Sequence, residues 1–169
     1  PEKLERQAAF LGRHPEIDFV FTDFDNFEGD REEEPHTHSC PRFRRALAGR
    51  EVENEGYILP AWIAYNLLLE ENYIGASAMM FRRRLIESAG GFNESYASSE
   101  DREFALRVAR ARGIGFLDFV GHRRRLHAGS MSAQVEKVLT WKIRLFEDES
   151  ARAPRADRPA VRRRLSGLH

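Results

Sequence analysis

Three observations predict an α/β domain. Segments with apolar residues at helical spacing alternate along the chain with short runs rich in aromatic and β-branched residues, the order expected when helices are laid against a sheet. Proline and glycine fall at the changeovers, as at His14-Pro15 and Gly90-Gly91. A length of 169 residues, 41% of them hydrophobic, suffices for one domain with a real core.

The elements follow in order. Residues 1–13 suit a helix: Pro1 fits a first helical position, and Leu4, Ala8 and Leu11 share a face. His14-Pro15 stops it. Ile17-Asp18-Phe19-Val20-Phe21-Thr22 then reads as a buried strand running into a turn-prone polar end at Asp23-Phe24-Asp25-Asn26. Residues 29–55 show no sustained period and read as an irregular charged loop with a short helix near 43–47. A helix is expected over 57–70, with Trp62, Tyr65 and Leu69 at helical spacing, and a strand-like run over 73–81. The spacing predicts a short helix over 83–89, ended by Gly90-Gly91. The next helix starts near Glu100 and ends before Gly113, with Phe104 and Val108 on one face and Ala105 and Ala109 on another. Ile114 to Val120 is a strand, and Arg123 to His127 a second extended segment. A last helix covers 134–149, with Val135, Leu139, Ile143 and Phe146 inside. Residues 150–169, arginine-rich and holding Pro154 and Pro159, read as a solvated basic tail.

Charge narrows the function. The 27 basic residues balance 27 acidic ones, which argues against a dedicated nucleic-acid binder. Only Lys3, Lys137 and Lys142 are lysines. Arginine makes planar, bidentate contacts to phosphate and carboxylate, although genome composition yields the same bias. The single cysteine, Cys40, excludes an internal disulfide and fits a reducing compartment. No apolar run approaches the roughly 20 residues needed to cross a bilayer. A cytoplasmic protein is expected, with the basic tail allowing peripheral contact with the inner face of a membrane at about 1 kcal/mol per arginine.

Four constellations carry candidate chemistry. In Ser99-Glu100-Asp101 one carboxylate suits a general base and its neighbour a positioning group; equally, Ser98 or Ser99 caps a helix whose first turn favours acids. In Arg125-Leu126-His127, with Ser130 and Ser132 behind, a guanidinium and an imidazole suit a leaving diphosphate or a metal. The same run also reads as a basic loop in which Ser132 caps the last long helix. Asp23 and Asp25 stand at the carboxyl end of a strand, where open α/β sheets meet ligands, or serve as turn formers. His36-Thr37-His38-Ser39-Cys40 lacks the second ligand pair a structural zinc site requires and reads as a polar loop. Trp62 and Tyr65 suit a core or a groove wall.

Taken in order, these segments resemble family 2 glycosyltransferases of the GT-A fold. The resemblance runs from Pro1-Glu2-Lys3-Leu4-Glu5-Arg6-Gln7 through Phe19-Val20-Phe21-Thr22-Asp23 and Asn72-Tyr73-Ile74-Gly75-Ala76-Ser77-Ala78-Met79-Met80-Phe81-Arg82-Arg83. It continues in Ala89-Gly90-Gly91-Phe92-Asn93-Glu94, with asparagine where aspartate is usual, then Ser99-Glu100-Asp101, and closes on Arg125-Leu126-His127 with Ser130 to Ser132. It implies a partial, Rossmann-like GT-A domain over 1–149, with a mixed sheet flanked by helices and the tail beyond. The strand, loop and helix that hold the nucleotide, and the Asp-x-Asp motif, are expected ahead of Pro1, so that the chain alone exposes an apolar sheet edge prone to association.

The activity implied is inverting transfer of a sugar from a nucleotide-sugar donor to a saccharide or lipid-linked acceptor, as in polysaccharide biosynthesis. Asp101 is then the base and Glu100 its neighbour, Trp62 and Ser99 stand on the acceptor side, and Asp23 faces the nucleotide. Arg125 and His127 meet the donor diphosphate. His127 also touches a divalent Mn2+ or Mg2+ otherwise held by residues ahead of this chain. The rival expectation is a non-catalytic interaction module derived from such an enzyme.

Overall fold

The computed structural model describes residues 2–53, 55–127, 129–130, 133–153 and 155–168. Its centre is a pair of parallel strands, β1 (Phe19–Glu28) and β6 (Ile114–Arg125), in register from Val20↔Gly115 to Phe27↔Arg125. Around it the described residues form a mixed sheet of six strands in the order β2-β1-β6-β4-β3, where β2 is Arg31–Glu32, β3 Glu51–Glu53 and β4 Gly56–Leu59. A short strand, β5 (Met79–Phe81), lies antiparallel along the first half of β1. Helices flank the sheet, an arrangement compatible with a Rossmann-like fold.

Seven helices are described: α1 (Glu2–Arg13), α2 (Pro41–Ala46), α3 (Ala61–Glu70), α4 (Arg83–Ala89), α5 (Glu100–Ala109), α6 (Val135–Arg152) and α7 (Arg158–Ser166). The two faces of the sheet are unequal. One buries Phe19, Phe21 and Phe116 against residues of α3, α5, α6 and α7, including Leu68, Phe104, Phe146 and Val161. The other buries Val20 and Leu117 beneath Phe10 and Leu11 of α1. Successive side chains of β1 therefore serve different cores, as a strand's period of two requires.

Several sequence expectations are corrected. β1 does not turn at Asp23 but continues to Glu28. Its polar end is held by cross-strand partners on β6: Arg123 faces Asp25 at 3.3 Å, and Arg124 donates to Asn26 at 2.8 Å. Tertiary pairing thus overrides local turn preference. Extended segments 114–120 and 123–127 fuse into one strand, β6, for the same reason. Residues 56–59 form β4 paired to β6, and only the part after Pro60 is helical. On α1 the buried side chains are Gln7, Phe10 and Leu11, while Leu4 is exposed. On α6 Val135 is 74% exposed and Leu139 is also exposed; the core contact of this helix lies further along, where Leu145 and Phe146 are buried.

The expected solvated tail instead folds back as α7. Val161 is fully buried and packs with α3 and α6. The short helix after residue 82 ends as expected, with Gly90 at φ +79°, a left-handed conformation glycine adopts without strain. Pro1, Met131, Ser132 and Pro154 lie outside the described residues, and with them the expected roles of Pro1 in the first helix and Ser132 in capping.

One irregularity shapes the sheet. Between Leu117↔Thr22 and His122↔Phe24 the β1–β6 register shifts twice, leaving extra residues on β6. Gly121 stands in this bulge, where a Cβ would overlap the buried Thr22 side chain. The bulge increases the local twist and re-aims the carboxyl half of the pair.

Candidate active site

Because β1 and β6 are parallel, both deliver their following residues to one end of the sheet, where open α/β sheets place ligands. The Leu126 N–H donates to the Phe27 carbonyl at 2.8 Å, so His127 emerges at that end and is exposed. β5 runs the opposite way, so the residues just before it reach the same end. Gly75 packs there on Phe24: a Cβ would lie 3.2 Å from the ring. The Ala76 N–H acts on Asp101, which ties the first turn of α5 to this end.

Asp101 is half-buried. Its carboxylate accepts the Arg102 N–H at 2.7 Å. Burial pushes its carboxyl above the usual range; the N–H groups of Arg102 and Ala76 pull the other way, and the adjacent Glu100 adds to the rise. Helix α5 starts without a hydroxyl cap. Ser99 precedes it at φ +65°, a left-handed conformation costly for a residue with a Cβ, and makes no side-chain cap bond. The capping role expected of Ser98 or Ser99 is not filled, and the first-turn N–H of Arg102 is satisfied by Asp101 instead.

The remaining candidates are placed as follows. Arg125 is exposed, its guanidinium 5.6 Å from the Phe27 ring centre. Arg125 and His127 share the sheet end with Asp101, yet among the described residues no hydrogen bond, ion pair or ring contact joins either to it. Asp23 is buried, and its carboxylate is taken up by protein donors. It accepts the N–H of Phe24 at 2.8 Å and of Thr37 at 3.1 Å, and the Thr37 hydroxyl. It therefore anchors the 3-10 turn His36–Ser39 rather than facing outward.

Trp62 is not brought to Asp101. β4 ends with Leu59 opposite Ile114, the first residue of β6, so α3 begins at the amino end of the parallel strands. Trp62 is 69% exposed there, a helix length from the carboxyl end. Helical spacing alone gave no means of seeing which end of the sheet this helix starts from.

His122 is a residue the sequence pattern does not single out. Its ring stacks on Phe24 at 5.2 Å, with His36 on the same ring at 4.5 Å. Its Nδ1 is enclosed without a hydrogen-bond partner among the described residues. Burial, then Lys3 and Arg124, push its pKa below the usual histidine value, so the imidazole is neutral at neutral pH. Its sole sequence signal is position: a histidine opening the run Arg123-Arg124-Arg125.

A divalent metal does not fit these residues by themselves. Among the described residues no group of three or more His, Cys, Asp or Glu side chains could hold one, and His127 would be a single ligand. No helix among them is long and apolar enough to cross a membrane. No family model matches the chain, and no curated protein or solved structure shows significant similarity to it.

Proposed function

We propose that this chain supplies the catalytic base and acceptor side of an inverting glycosyltransferase, in a partial GT-A domain. The observation that carries the reading is Asp101. It is a half-buried carboxylate whose proton affinity is raised by burial, at the end of the parallel strands where Leu126 and His127 also emerge. A base is most effective when its pKa approaches the working pH, and burial moves Asp101 in that direction.

In this reading Asp101 takes the proton of an acceptor hydroxyl as its oxygen attacks the anomeric carbon. The bond from that carbon to the diphosphate oxygen breaks on the opposite face, and the electron pair leaves with the diphosphate. Glu100 and Ser99 border the acceptor. Arg125 at the end of β6 and His127 just past it, both exposed, are the cations available to the departing charge. The nucleotide-sugar donor is otherwise held by polypeptide outside these residues, and no step here is assigned to a metal.

The test is sugar transfer by the natural polypeptide carrying this chain, assayed with a panel of nucleotide sugars. Asp101→Asn keeps the shape and removes the base; a loss of about 10²–10⁴-fold in kcat is expected. A variant as fast as the parent removes the assignment.

A further inference from the structure

The candidate base is followed in the chain by a buried cation. Arg102 is 4% exposed, and its Nε and Nη2 donate to the Leu68 carbonyl near the end of α3 at 2.9 and 2.5 Å. Its guanidinium lies 5.1 Å from the Phe146 ring centre. Lys142 precedes Phe146 by four residues on α6, hence on the same face, and is half-buried. Arg164 follows the fully buried Val161 of α7 by three residues; its Nε is enclosed and has no hydrogen-bond partner among the described residues.

Helices α6 and α7 pack together, and Arg164 acts electrostatically on both Arg102 and Lys142, so three cations on three helices share one region. The ion pairs of α5 and α6 belong to other residues, Arg107 and Arg152 with Glu103, and Arg110 with Glu149. Among the described residues, none joins Arg102, Lys142 or Arg164 to a carboxylate. Burial lowers the pKa of Arg102 to about 10; Arg164 adds to the fall, and Asp101 opposes it. Lys142 is lowered by burial first, then by Arg102 and Arg164. The carbonyl end of α3 and the Asp101 carboxylate offset one of the three charges. Among the described residues no carboxylate pairs with the other two, an unfavourable state for partly buried groups unless an anion completes it.

We propose that Arg102, Lys142 and Arg164 form a phosphate-binding site where α5, α6 and α7 meet. Two uncompensated positive charges match a phosphate monoester or diphosphate better than a single carboxylate, and the Arg164 guanidinium, with its Nε not engaged by any described residue, suits its oxygens. Arg102 lies within electrostatic reach of Asp101, so a phosphate held there is near the candidate base and marks a phosphate-bearing acceptor. That last step rests on the function proposed above; the binding does not.

The full chain is melted in inorganic phosphate and in sodium chloride of equal ionic strength. At phosphate tenfold above its dissociation constant, Tm rises by about 3–5 °C. Lys142→Met and Arg164→Gln each remove that rise. Each also raises Tm in phosphate-free buffer by relieving repulsion, a change opposite in sign to damage of the fold. Equal melting in the two salts, or a phosphate effect that survives in the double variant, overturns the site.

Vesicles of phosphatidic acid in phosphatidylcholine identify the source. Binding reversed by free phosphate indicates a lipid phosphate, and indifference to the vesicles alongside stabilisation indicates a soluble ester. A lost phosphate effect with sugar transfer intact sinks the site alone. A normal phosphate effect with a fully active Asp101→Asn sinks the base alone.

Discussion

For Asp101, the proposed base, stability and the proposed chemistry stand at cross purposes. Its carboxyl holds a proton more tightly in the fold than in the unfolded chain, mainly through burial. The contribution of such a group is fully present below its ordinary value of 3.8 and is lost as pH rises through the folded value. At neutral pH the ionised Asp101 therefore weakens the fold. Asp101→Asn is expected to melt above wild type at pH 7, with the difference closing as pH falls below the ordinary value. A series of melting curves between pH 3 and 8 checks this, and a variant less stable than wild type throughout contradicts it. A gain in stability on losing a carboxylate marks a residue kept for something other than folding.

At the scale of elements, the bulge between β1 and β6 decides where the sheet end points. Gly121→Ala drives a methyl group into the buried Thr22 side chain, and overpacking of this kind costs about 1–3 kcal/mol. The urea midpoint should fall while the slope of the transition stays unchanged. Nothing in the sequence marks this glycine as different from Gly113 or Gly129, because its constraint comes from a strand about a hundred residues away. The same distinction runs through the other elements. Helices α4 and α5 were legible because their signals are local: a left-handed glycine at Gly90, an acidic first turn, and apolar residues at helical spacing. The carboxyl half of β1 was not legible, since Asp25 and Asn26 are strand residues only through Arg123 and Arg124. Strand β4 was hidden for a like reason, with Tyr57, Ile58 and Leu59 fitting either period and pairing with β6 deciding between them. Of the site, the carboxylates at the start of α5 could be read from the chain. The inward-facing Asp23, the remote Trp62 and the enclosed His122 follow from tertiary placement.

The molecule as a whole is tied by a few polar hubs that bind distant segments. Asp18, 2% exposed, receives Arg84 from α4 at 2.6 Å and Arg112 from the approach to β6 at 2.7 Å, with Arg82 at 3.7 Å. All three arginines reach solvent, so Asp18→Asn leaves none of them stranded. A loss of about 1.5–3 kcal/mol is expected, the range for hydrogen bonds to a charged group. Guanidinium chloride conceals part of this by screening, so urea is the denaturant of choice; a midpoint within error of wild type would refute the role. The parallel pairing of Val20 with Gly115 spans 95 positions, and that separation bears on the life of the nascent polypeptide. At roughly 5–20 residues per second, the ribosome needs about 5–20 seconds after making β1 to finish its neighbour. Throughout that interval Phe19 and Phe21 have no β6 beside them, and the later antiparallel pairing with β5 shelters one flank alone. Synthesis thus holds a sticky, half-paired ribbon in the cell for several seconds. This makes early engagement by a chaperone an expected stage in its biogenesis.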